Sequence, residues 1–248
     1  MSRLKVLLYH EIVPRDSWPT TGVGPVRTAQ GMSDPLPEAL YVWEDAFHAQ
    51  MDWLARSGWA VVTPEQVKAA YSGGPPLPDP SVLVTLDDLW TQGMRAAVPV
   101  LRSRGWRALA FLVSAWVFDQ AQTPATGSPV CVARGEWEAW SDVFALGNHT
   151  DRLHTRGPEG PVVAQVFQAE FVADLRRCEP WTTLKGVFAY PFGAVGRGAL
   201  DGLRSEGFTL AFTTIPGDNT PETSPLNLHR TIVPRDLPLA GFQGLFSS

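Results

Sequence analysis

Short apolar runs separated by helical patterns constrain the fold of this chain more than any other feature of its sequence. The runs do not alternate in polarity, which is typical of strands buried on both faces of a parallel sheet. They are Lys5–Leu8, Ala60–Val62, Val82–Leu86, Ala108–Val113, Val143–Leu146, Val187–Tyr190, Thr209–Thr213 and Thr231–Val233. Because helical segments lie between most of them, the pattern predicts an α/β fold. About seven or eight such units favour closure into a (β/α) barrel over the alternative, an open doubly wound sheet.

The helices are predicted from apolar spacing and from start and stop signals. Apolar residues recur at helical spacing from Trp43 to Leu54, and Thr63 begins a capping box with proline in the first turn. The remaining helices are predicted at 90–104, with a kink at Pro99, and at 135–141, 161–177 and 198–205. Two long loops rich in Pro, Gly, Ser and Thr, 14–40 and 118–134, are expected to surround a binding site.

Composition and charge narrow the classes of partner. The net charge of -5 gives no basic footprint, so we expect no nucleic-acid partner. No apolar run approaches the ~20 residues needed to cross a bilayer. The apolar stretch Val6–Leu8 is too short for a signal-peptide core of ~7–15 residues, which predicts a cytoplasmic protein for the sequence as given. The length fits a single domain over 1–248, and nothing indicates an oligomeric state.

Cysteine and tryptophan usage both indicate structural roles. Cys131 and Cys178 lie far apart without a CxxC spacing, so we expect free, buried thiols. Ten tryptophans can fill a core or form flat platforms for sugar rings, and we expect the core to take most of them. His48, on the first predicted helix, is expected on the solvent face.

Two adjacent carboxylates, Asp87 and Asp88, directly follow the strand at 81–86. They are expected at the carboxyl end of that strand, where parallel α/β folds place binding sites. One interpretation is structural, with one carboxylate capping the next helix and the other solvated. The other is chemical, because two neighbouring carboxylates that point in different directions can hold a metal with one and a proton with the other.

His149 and His154 lie five residues apart in a polar loop that follows another apolar run. On a regular helix that spacing separates the side chains by ~140°, so they do not form the i, i+4 zinc pair of a metalloprotease. They converge only if the chain turns after the strand; otherwise they are surface or packed histidines. One carboxylate plus two imidazoles with open positions suits a catalytic divalent metal, most simply Zn²⁺, with Co²⁺ or Ni²⁺ as alternatives.

Two further candidates stand at the ends of other predicted strands. Pro191 ends one strand, and the glycines after it permit a tight turn or a close approach to a ligand. This is an ordinary strand-to-helix turn unless it lies beside a metal, where the N–H of Phe192 can act as an oxyanion donor. His10, at the end of the first strand, is either a general acid or a capping or packed residue.

In three motifs the chain resembles the polysaccharide deacetylases, the NodB-homology or carbohydrate esterase family 4 group. TLDDLW is similar to that family's T-F-D-D-G motif, HTDRLH to its H-[ST]-x-x-H motif and AYPFG to its R-x-P-[YF]-G motif. The segments LLYHEI, FHAQMDWLARSGWAVVTPEQV, GEWEAW and LHRTIVPRD resemble the branch that deacetylates poly-N-acetylglucosamine, so nearly the whole chain is covered. In that branch the two histidines are five apart, and the R-x-P arginine is commonly Ala, as at Ala189.

The resemblance implies a fold and an activity. The fold is a NodB-like, distorted (β/α) barrel of about seven parallel strands, circularly permuted in motif order. The activity is metal-dependent hydrolysis of the N-acetyl group of an N-acetylated amino sugar or its polymer, with an N-acetylglucosamine-containing carbohydrate as substrate. Polymer deacetylases usually act outside the cytoplasm, which conflicts with the cytoplasmic expectation from the N-terminus.

The resemblance also implies roles for particular residues. The implied metal ligands are Asp88, His149 and His154. Asp87 would be the general base, and the N–H of Phe192 would supply the oxyanion contact. The permuted motif order makes His10 the counterpart of a late family histidine and a general acid. Arg230 would replace the missing R-x-P arginine that orients Asp87.

Two positions depart from the family's first motif, where Leu86 replaces Phe and Leu89 replaces Gly. Leu86 is a modest change inside a buried strand. Leu89 puts a bulky side chain where the family has none, which narrows the site, shifts the backbone around Asp88, or marks altered substrate or reduced activity. Two alternative functions follow. One is a non-catalytic carbohydrate-binding relative in which Trp90 stacks on sugar, and the other is a deacylase of a small amide.

Overall fold

The computed structural model describes residues 3–16, 18, 26–31 and 40–247. Its strands are β1 (Leu4–Tyr9), β2 (Glu11–Val13), β3 (Tyr41–Trp43), β4 (Ala60–Val61), β5 (Ser81–Asp87), β6 (Ala108–Leu112), β7 (Phe144–Asn148), β8 (Arg156–Gly157), β9 (Gly160–Pro161), β10 (Val187–Ala189), β11 (Leu210–Phe212) and β12 (Thr231–Ile232). Its helices are α1 (Glu44–Leu54), α2 (Pro64–Tyr71), α3 (Thr91–Arg102), α4 (Gln168–Cys178), α5 (Ala199–Ser205) and α6 (Leu239–Gly244). Much of the loop predicted at 14–40 lies outside the described residues.

Eight strands form one parallel sheet. Seven of them run in the order β11, β10, β7, β6, β5, β1, β12, and the eighth, β4, pairs with β5. β1 pairs with almost the whole of β5, whereas β4 meets the start of β5 and β6 meets its end. Every apolar run identified in the sequence contributes a strand to this sheet, so the predicted parallel sheet is confirmed.

The sheet curls until its two edge strands approach each other. Leu228, just before β12, forms a parallel bridge with Phe212 of β11. The N–H of Thr213 donates to the carbonyl of Leu228, and the N–H of Leu228 donates to the carbonyl of Ala211, both at 2.8 Å. The predicted distorted (β/α) barrel of about seven parallel strands is therefore confirmed, and the sheet is not the open doubly wound alternative.

The two faces of the curled sheet bury different side chains. Leu83, Phe111 and Phe212 belong to a cluster drawn from six strands of the sheet, which fills the inside of the barrel. Val84 and Leu86, on the outer face, pack in a second cluster with residues of α1 and α3. All ten tryptophans lie within or against this second cluster, so the structural interpretation of the tryptophans is confirmed.

Helix boundaries follow some of the sequence signals and depart from others. The side chains and backbone N–H groups of Thr63 and Gln66 bond reciprocally at 3.2 and 2.8 Å, so the predicted capping box forms. The helix predicted at 135–141 is wrong, because this short segment forms only a 3-10 turn at Trp137–Trp140. The helix predicted at 161–177 is also too long. A 3-10 turn at Val162–Ala164, where β-branched valines disfavour continuation, precedes α4.

The two cysteines and His48 lie as the sequence predicted. Cys131 and Cys178 are free and buried, and the side chain of His48 is 50% exposed. No helix in the described part of the chain has the length and apolarity required to span a bilayer. The small parallel pair β2 and β3, which packs on α1 and α3, was not predicted.

Candidate metal centre

The carboxyl ends of four strands carry the residues that the sequence singled out. Asp87 is the last residue of β5, His149 follows β7, and Phe192 lies just beyond β10. β1 and β5 are paired in register up to the end of β1, so His10 lies level with Asp87. Because parallel strands end at the same edge of a sheet, these residues are gathered at one end of the barrel.

The backbone at this end of the barrel is strained. In the described part of the chain, the non-glycine residues with positive φ are Asp88 (72°), Leu89 (54°), Thr150 (76°) and Phe192 (58°). All four lie within three residues of the end of β5, β7 or β10. Such conformations cost of order 1–3 kcal/mol each and cluster at functional sites. The left-handed residue at position 150 also supplies the turn that two histidines five apart need in order to converge.

Asp88, His149 and His154 bring three ligand atoms within 4.8 Å of one another. The Nε2 atom of His154 lies 3.4 Å from Oδ1 of Asp88, and the Nε2 atom of His149 lies 3.7 Å from the same oxygen. All three side chains are buried, and among the described residues Oδ1 of Asp88 has no hydrogen-bond partner. The structure thus brings together the three residues that the resemblance implies as metal ligands.

The donor arrangement fits a divalent metal. Nδ1 of His149 lies 2.7 Å from the carbonyl oxygen of Ala189, which can only accept, so Nδ1 carries the ring proton and Nε2 presents a lone pair to Asp88. A lone pair that faces a buried, unpartnered carboxylate oxygen is unfavourable unless a cation lies between them. Two imidazoles and a carboxylate form a common catalytic zinc set, and an N–H to carbonyl bond is the usual support of a metal-binding histidine.

The electrostatics of the centre favour the protonation states that a metal needs in its histidine ligands. Burial lowers the pKa of His149, and burial lowers the pKa of His154 well below its ordinary value, so both rings are neutral near pH 7. Burial, and then the charge of Asp87, raise the pKa of Asp88 well above its ordinary value. A carboxylate whose charge is this unfavourable ionises readily only beside a cation.

Arg230, which is fully buried, holds the second carboxylate, Asp87. Its Nη1 donates to Oδ1 at 2.7 Å and its Nη2 donates to Oδ2 at 2.9 Å, while Nε donates to the carbonyl of Thr213 at 2.8 Å. Burial is the largest single effect and raises the pKa of Asp87, but the charges of Arg230, His149 and His10 together with the Arg230 hydrogen bonds outweigh it, and the pKa falls to about 2. Oδ2 of Asp87 is 3.7 Å from Nε2 of His149. The two adjacent carboxylates thus share His149 as a neighbour, but Arg230 bonds to Asp87, and their pKa values change in opposite directions.

His10 lies close enough to Asp87, Arg230 and His149 for their charges to change its pKa. Burial lowers the pKa of His10 to about 4, the Asp87 carboxylate acts in the opposite direction, and Arg230 and His149 lower the pKa further. The Nδ1 atom of His10 is buried and has no hydrogen-bond partner in the part of the chain that the structure describes. The ring is therefore neutral near pH 7 and must acquire a proton before it can donate one.

The ring of Phe192 forms one wall of the centre. Its centroid is 4.4 Å from that of His154, and the guanidinium carbon of the exposed Arg156 lies 4.1 Å from the Phe192 centroid. The next residue, Gly193, has a φ of 71°, and a Cβ there would lie 2.0 Å from Oγ1 of Thr214. This glycine is required by a close contact within the protein rather than by contact with a ligand.

The structure decides two alternatives that the sequence left open for the residues after the carboxylate pair. The Leu89 side chain is fully buried in the second cluster, on the outer face of the sheet. It is therefore part of the core and does not obstruct the site. Its φ of 54° is the conformation that a glycine adopts without strain, which accounts for glycine in the family motif. Trp90 is only 1% exposed and stacks on Trp116 at 5.5 Å, so it does not offer a sugar platform.

Sequence reasoning missed the residues that hold the histidine loop. Oδ1 of Asn148 accepts from the N–H of Thr150 at 2.9 Å, and Asp174 of α4, fully buried, accepts from the two N–H groups that follow. One signal was present in the sequence. Asp174 lies between Phe171 and Cys178 on the apolar stripe of α4, and a carboxylate on a buried helix face needs a specific partner.

Known proteins that resemble this chain are deacetylases. Residues 74–211 match the sequence profile described as polysaccharide deacetylase. The poly-β-1,6-N-acetyl-D-glucosamine N-deacetylase of Escherichia coli K12 is 23% identical over 211 residues, which cover 72% of this chain but 31% of that protein. A putative polysaccharide deacetylase of Bacillus subtilis, YxkH, is 23% identical over 235 residues, which cover 94% of this chain and 72% of that protein.

Solved structures share the fold over almost the whole chain. IcaB from Ammonifex degensii is 25% identical and superposes with a TM-score of 0.74, covering 98% of this chain and 96% of that one. The deacetylase PplD of Streptococcus pyogenes, solved in complex with acetate, is 16% identical with a TM-score of 0.73 and covers 99% of both chains. The profile spans more than half of the 248 residues, and the fold agrees with it. The chain belongs to the polysaccharide deacetylase family.

Proposed function

We propose that this protein is a metal-dependent N-deacetylase that hydrolyses the N-acetyl groups of an amino-sugar polymer. The observation that carries the proposal is the cluster of Asp88, His149 and His154 beside a separate carboxylate, Asp87. Membership of the family supports a hydrolase of this class. The E. coli relative is named for a poly-β-1,6-N-acetyl-D-glucosamine substrate, so an N-acetylglucosamine polymer is the substrate class that we propose.

Asp88, His149 and His154 would hold the metal, and we propose zinc because one carboxylate and two imidazoles form one of its common catalytic ligand sets. When bound, a divalent cation lowers the pKa of water to about 7 and polarises the oxygen of the acetyl group. The proposal requires both imidazoles to be neutral, which agrees with the lowered pKa values of His149 and His154.

Asp87 would be the general base. Its pKa of about 2 keeps the carboxylate ionised at any pH suitable for an assay, and Arg230 fixes both oxygens in one orientation. A carboxylate has about four lone-pair sites, so the two bonds from Arg230 leave sites that can accept the proton of the attacking water. Because such a weak base accepts a proton only from an acidified water, the role of Asp87 depends on the neighbouring ligand cluster.

The other two residues would act on the substrate. The N–H of Phe192 would donate to the acetyl oxygen as negative charge develops there, a contact typically worth about 10²–10³ in kcat. The water oxygen bonds to the acetyl carbon, the carbon–nitrogen bond breaks, and the amine nitrogen takes up a proton. His10 is proposed to deliver that proton. Because its pKa is about 4 the ring is neutral at pH 7, so the proton would be the one that Asp87 takes from the attacking water, which leaves both groups as they began.

Acetate release from N-acetylglucosamine oligomers tests the proposal. The protein is stripped of metal, reloaded with Zn²⁺, Co²⁺ or Ni²⁺, and compared with Asp87→Asn under the same conditions. We expect release from the reloaded protein and at least 100-fold less from the variant, since general base catalysis contributes about 10²–10⁴-fold. Glycan binding with no release under any of the three metals would instead favour a carbohydrate-binding relative. Release from small acetamides alone would favour the small-amide deacylase.

A further inference from the structure

The loop between His149 and His154 is held by side chains rather than by regular secondary structure. Three consecutive N–H groups, at 150, 151 and 152, each donate to a side-chain oxygen. The first donates to Asn148, as described above, and the other two donate to the carboxylate of Asp174. The N–H of Asp151 meets Oδ1 of Asp174 at 2.7 Å, and the N–H of Arg152 meets Oδ2 at 3.0 Å.

The same network also binds two acceptors within the loop, the carboxylate of Asp151 and the backbone carbonyl of Thr150. Arg177 donates from Nη2 to Asp174 at 2.9 Å and from Nε to Asp151 at 3.0 Å. Oγ of Ser114 donates to the other oxygen of Asp151 at 2.7 Å, and the N–H of Ser114 donates to the carbonyl of Thr150 at 3.2 Å. The loop is thus fastened to α4 on one side and to the turn after β6 on the other.

These contacts act on the separation and orientation of the two imidazoles. The ring centroids of His149 and His154 are 4.7 Å apart, although the residues are five apart in sequence. That approach depends on the left-handed residue Thr150, whose conformation costs of order 1–3 kcal/mol. A strained turn persists only when its surroundings over-determine it, and the buried Asp174 bonds to the two residues directly after that turn.

We infer that Asp174 is a positioning residue for the metal centre. By accepting from two consecutive N–H groups it fixes the turn that brings His149 and His154 onto one ion. The inference rests on the proposed metal-binding function of these histidines, and it adds a determinant of metal affinity that lies outside the ligand set. Partners of this kind typically alter metal affinity by about 10–100-fold.

A carboxylate is required because the loop offers two donors and no acceptor to this side chain. In Asp174→Asn one oxygen can still accept, but the amide nitrogen is a donor and leaves one N–H of the loop without a partner. The change keeps the size of the side chain, so its effect comes from hydrogen bonding rather than from a cavity. Glu206→Gln is the matched control. Glu206 accepts two bonds at 2.8 and 2.9 Å from Arg176, which lies on the same helix as Asp174. Arg176 is exposed and Glu206 is partly buried, and neither bonds to the loop between the histidines.

The experiment measures Co²⁺ and Zn²⁺ affinity of the metal-free full chain by titration, together with the visible absorption of bound Co²⁺. We expect Asp174→Asn to bind both ions about 10–100-fold more weakly and to shift the Co²⁺ spectrum, whereas Glu206→Gln matches the wild type. In the metal-free state, amide hydrogen exchange at Asp151 and Arg152 should accelerate in Asp174→Asn, a readout independent of metal and of turnover. Arg177→Gln, at a half-exposed position, should weaken binding in the same direction and decides the matter if Asp174→Asn does not fold.

The outcomes separate the two proposals. If the wild type binds neither ion, the proposed metal-dependent function fails and this inference fails with it. If the wild type binds but folded Asp174→Asn has the same affinity and the same Co²⁺ spectrum, only the positioning role of Asp174 is overturned.

Discussion

Replacing Arg230 by glutamine should destabilise the fold and shift the acid limb of the pH profile of kcat/KM. The pKa of Asp87, about 2 against an ordinary 3.8, means that its surroundings favour the ionised form by about 2 kcal/mol, at ~1.4 kcal/mol for each pKa unit. Burial opposes ionisation, so the combined attraction of Arg230, which is the largest contributor, and of His149 and His10 exceeds that figure. Removing one partner of a buried pair typically costs about 3–5 kcal/mol, and we expect Arg230→Gln to lower the free energy of unfolding by that amount.

The sign of the pH dependence follows from the depressed pKa. The stabilisation by Asp87 is present above about pH 3.8 and is lost as the pH falls through about 2. In Arg230→Gln the opposing charge is gone, so burial raises the pKa of Asp87 above 3.8. The acid limb of kcat/KM for acetate release should then rise to roughly pH 4–6, where it can be measured.

The assays are urea unfolding at pH 7 and acetate release from pH 4 to 8. Arg102→Gln is the matched control, because Arg102 bonds Asp142 in the same two-pronged manner at 2.6 and 2.7 Å, but both side chains are about half exposed. A surface pair contributes about 0–1 kcal/mol. The reasoning is refuted if Arg230→Gln unfolds within about 1 kcal/mol of the wild type and keeps the same acid limb.

Two other substitutions test the surroundings of the centre. Burial raises the pKa of Glu11 to about 8, so its contribution to stability is present below pH 4.5 and is lost as the pH rises to about 8. Glu11→Gln keeps an acceptor for the N–H of Gly93 but carries no charge. Its unfolding free energy minus that of the wild type should therefore be roughly 4 kcal/mol larger at pH 8 than at pH 5. The same difference at both pH values would contradict this. Replacing Leu89 by Gly removes about 1–2 kcal/mol of strain from the left-handed backbone, whereas Ala keeps that strain. Both substitutions lower the free energy of unfolding by about 3–5 kcal/mol because the buried leucine side chain is lost. Leu89→Gly should therefore be no less stable in urea than Leu89→Ala, and the reverse order by more than 1 kcal/mol would show that the strain is absent.

The fold was predictable from sequence because strands buried on both faces give short apolar runs that do not alternate with polar residues. Runs such as Val82–Leu86 and Ala108–Val113 are apolar without alternation, and they differ clearly from the helical spacing between Trp43 and Leu54. Closure of the sheet was a weaker inference, since it depends on the segment around Leu228. One residue there bridges to β11 and two residues pair with β1.

The candidate site was predictable in its residues but not in their geometry. Asp87, Asp88 and the two histidines stood out because polar, titratable groups at strand ends are unusual, and the family resemblance assigned roles to them. The spacing of His149 and His154 could not show that they converge, because convergence depends on one left-handed residue between them. The alternatives for Leu89 stayed open for a related reason, since local sequence does not reveal on which side of a strained turn a side chain packs.

The network around Asp174 escaped prediction because its partners are backbone N–H groups. A backbone donor leaves no trace in the sequence, and Asp174 lies 20 residues beyond His154 on a separate helix. The bond between Arg230 and Asp87 spans 143 residues, and only the family resemblance suggested it. Contacts of such long range follow from the closure of the barrel rather than from any local pattern.

The two adjacent carboxylates have different proposed roles: Asp88 is a metal ligand, and Asp87 is the general base that accepts the proton. The most direct measurement is the zinc content per chain of Asp87→Asn and of Asp88→Ala, each paired with its rate of acetate release. We expect Asp87→Asn to retain about one zinc ion per chain and to lose at least 100-fold in rate, whereas Asp88→Ala should lose the ion and the activity together. Wild-type acetate release by Asp87→Asn, or wild-type zinc content in Asp88→Ala, would contradict it.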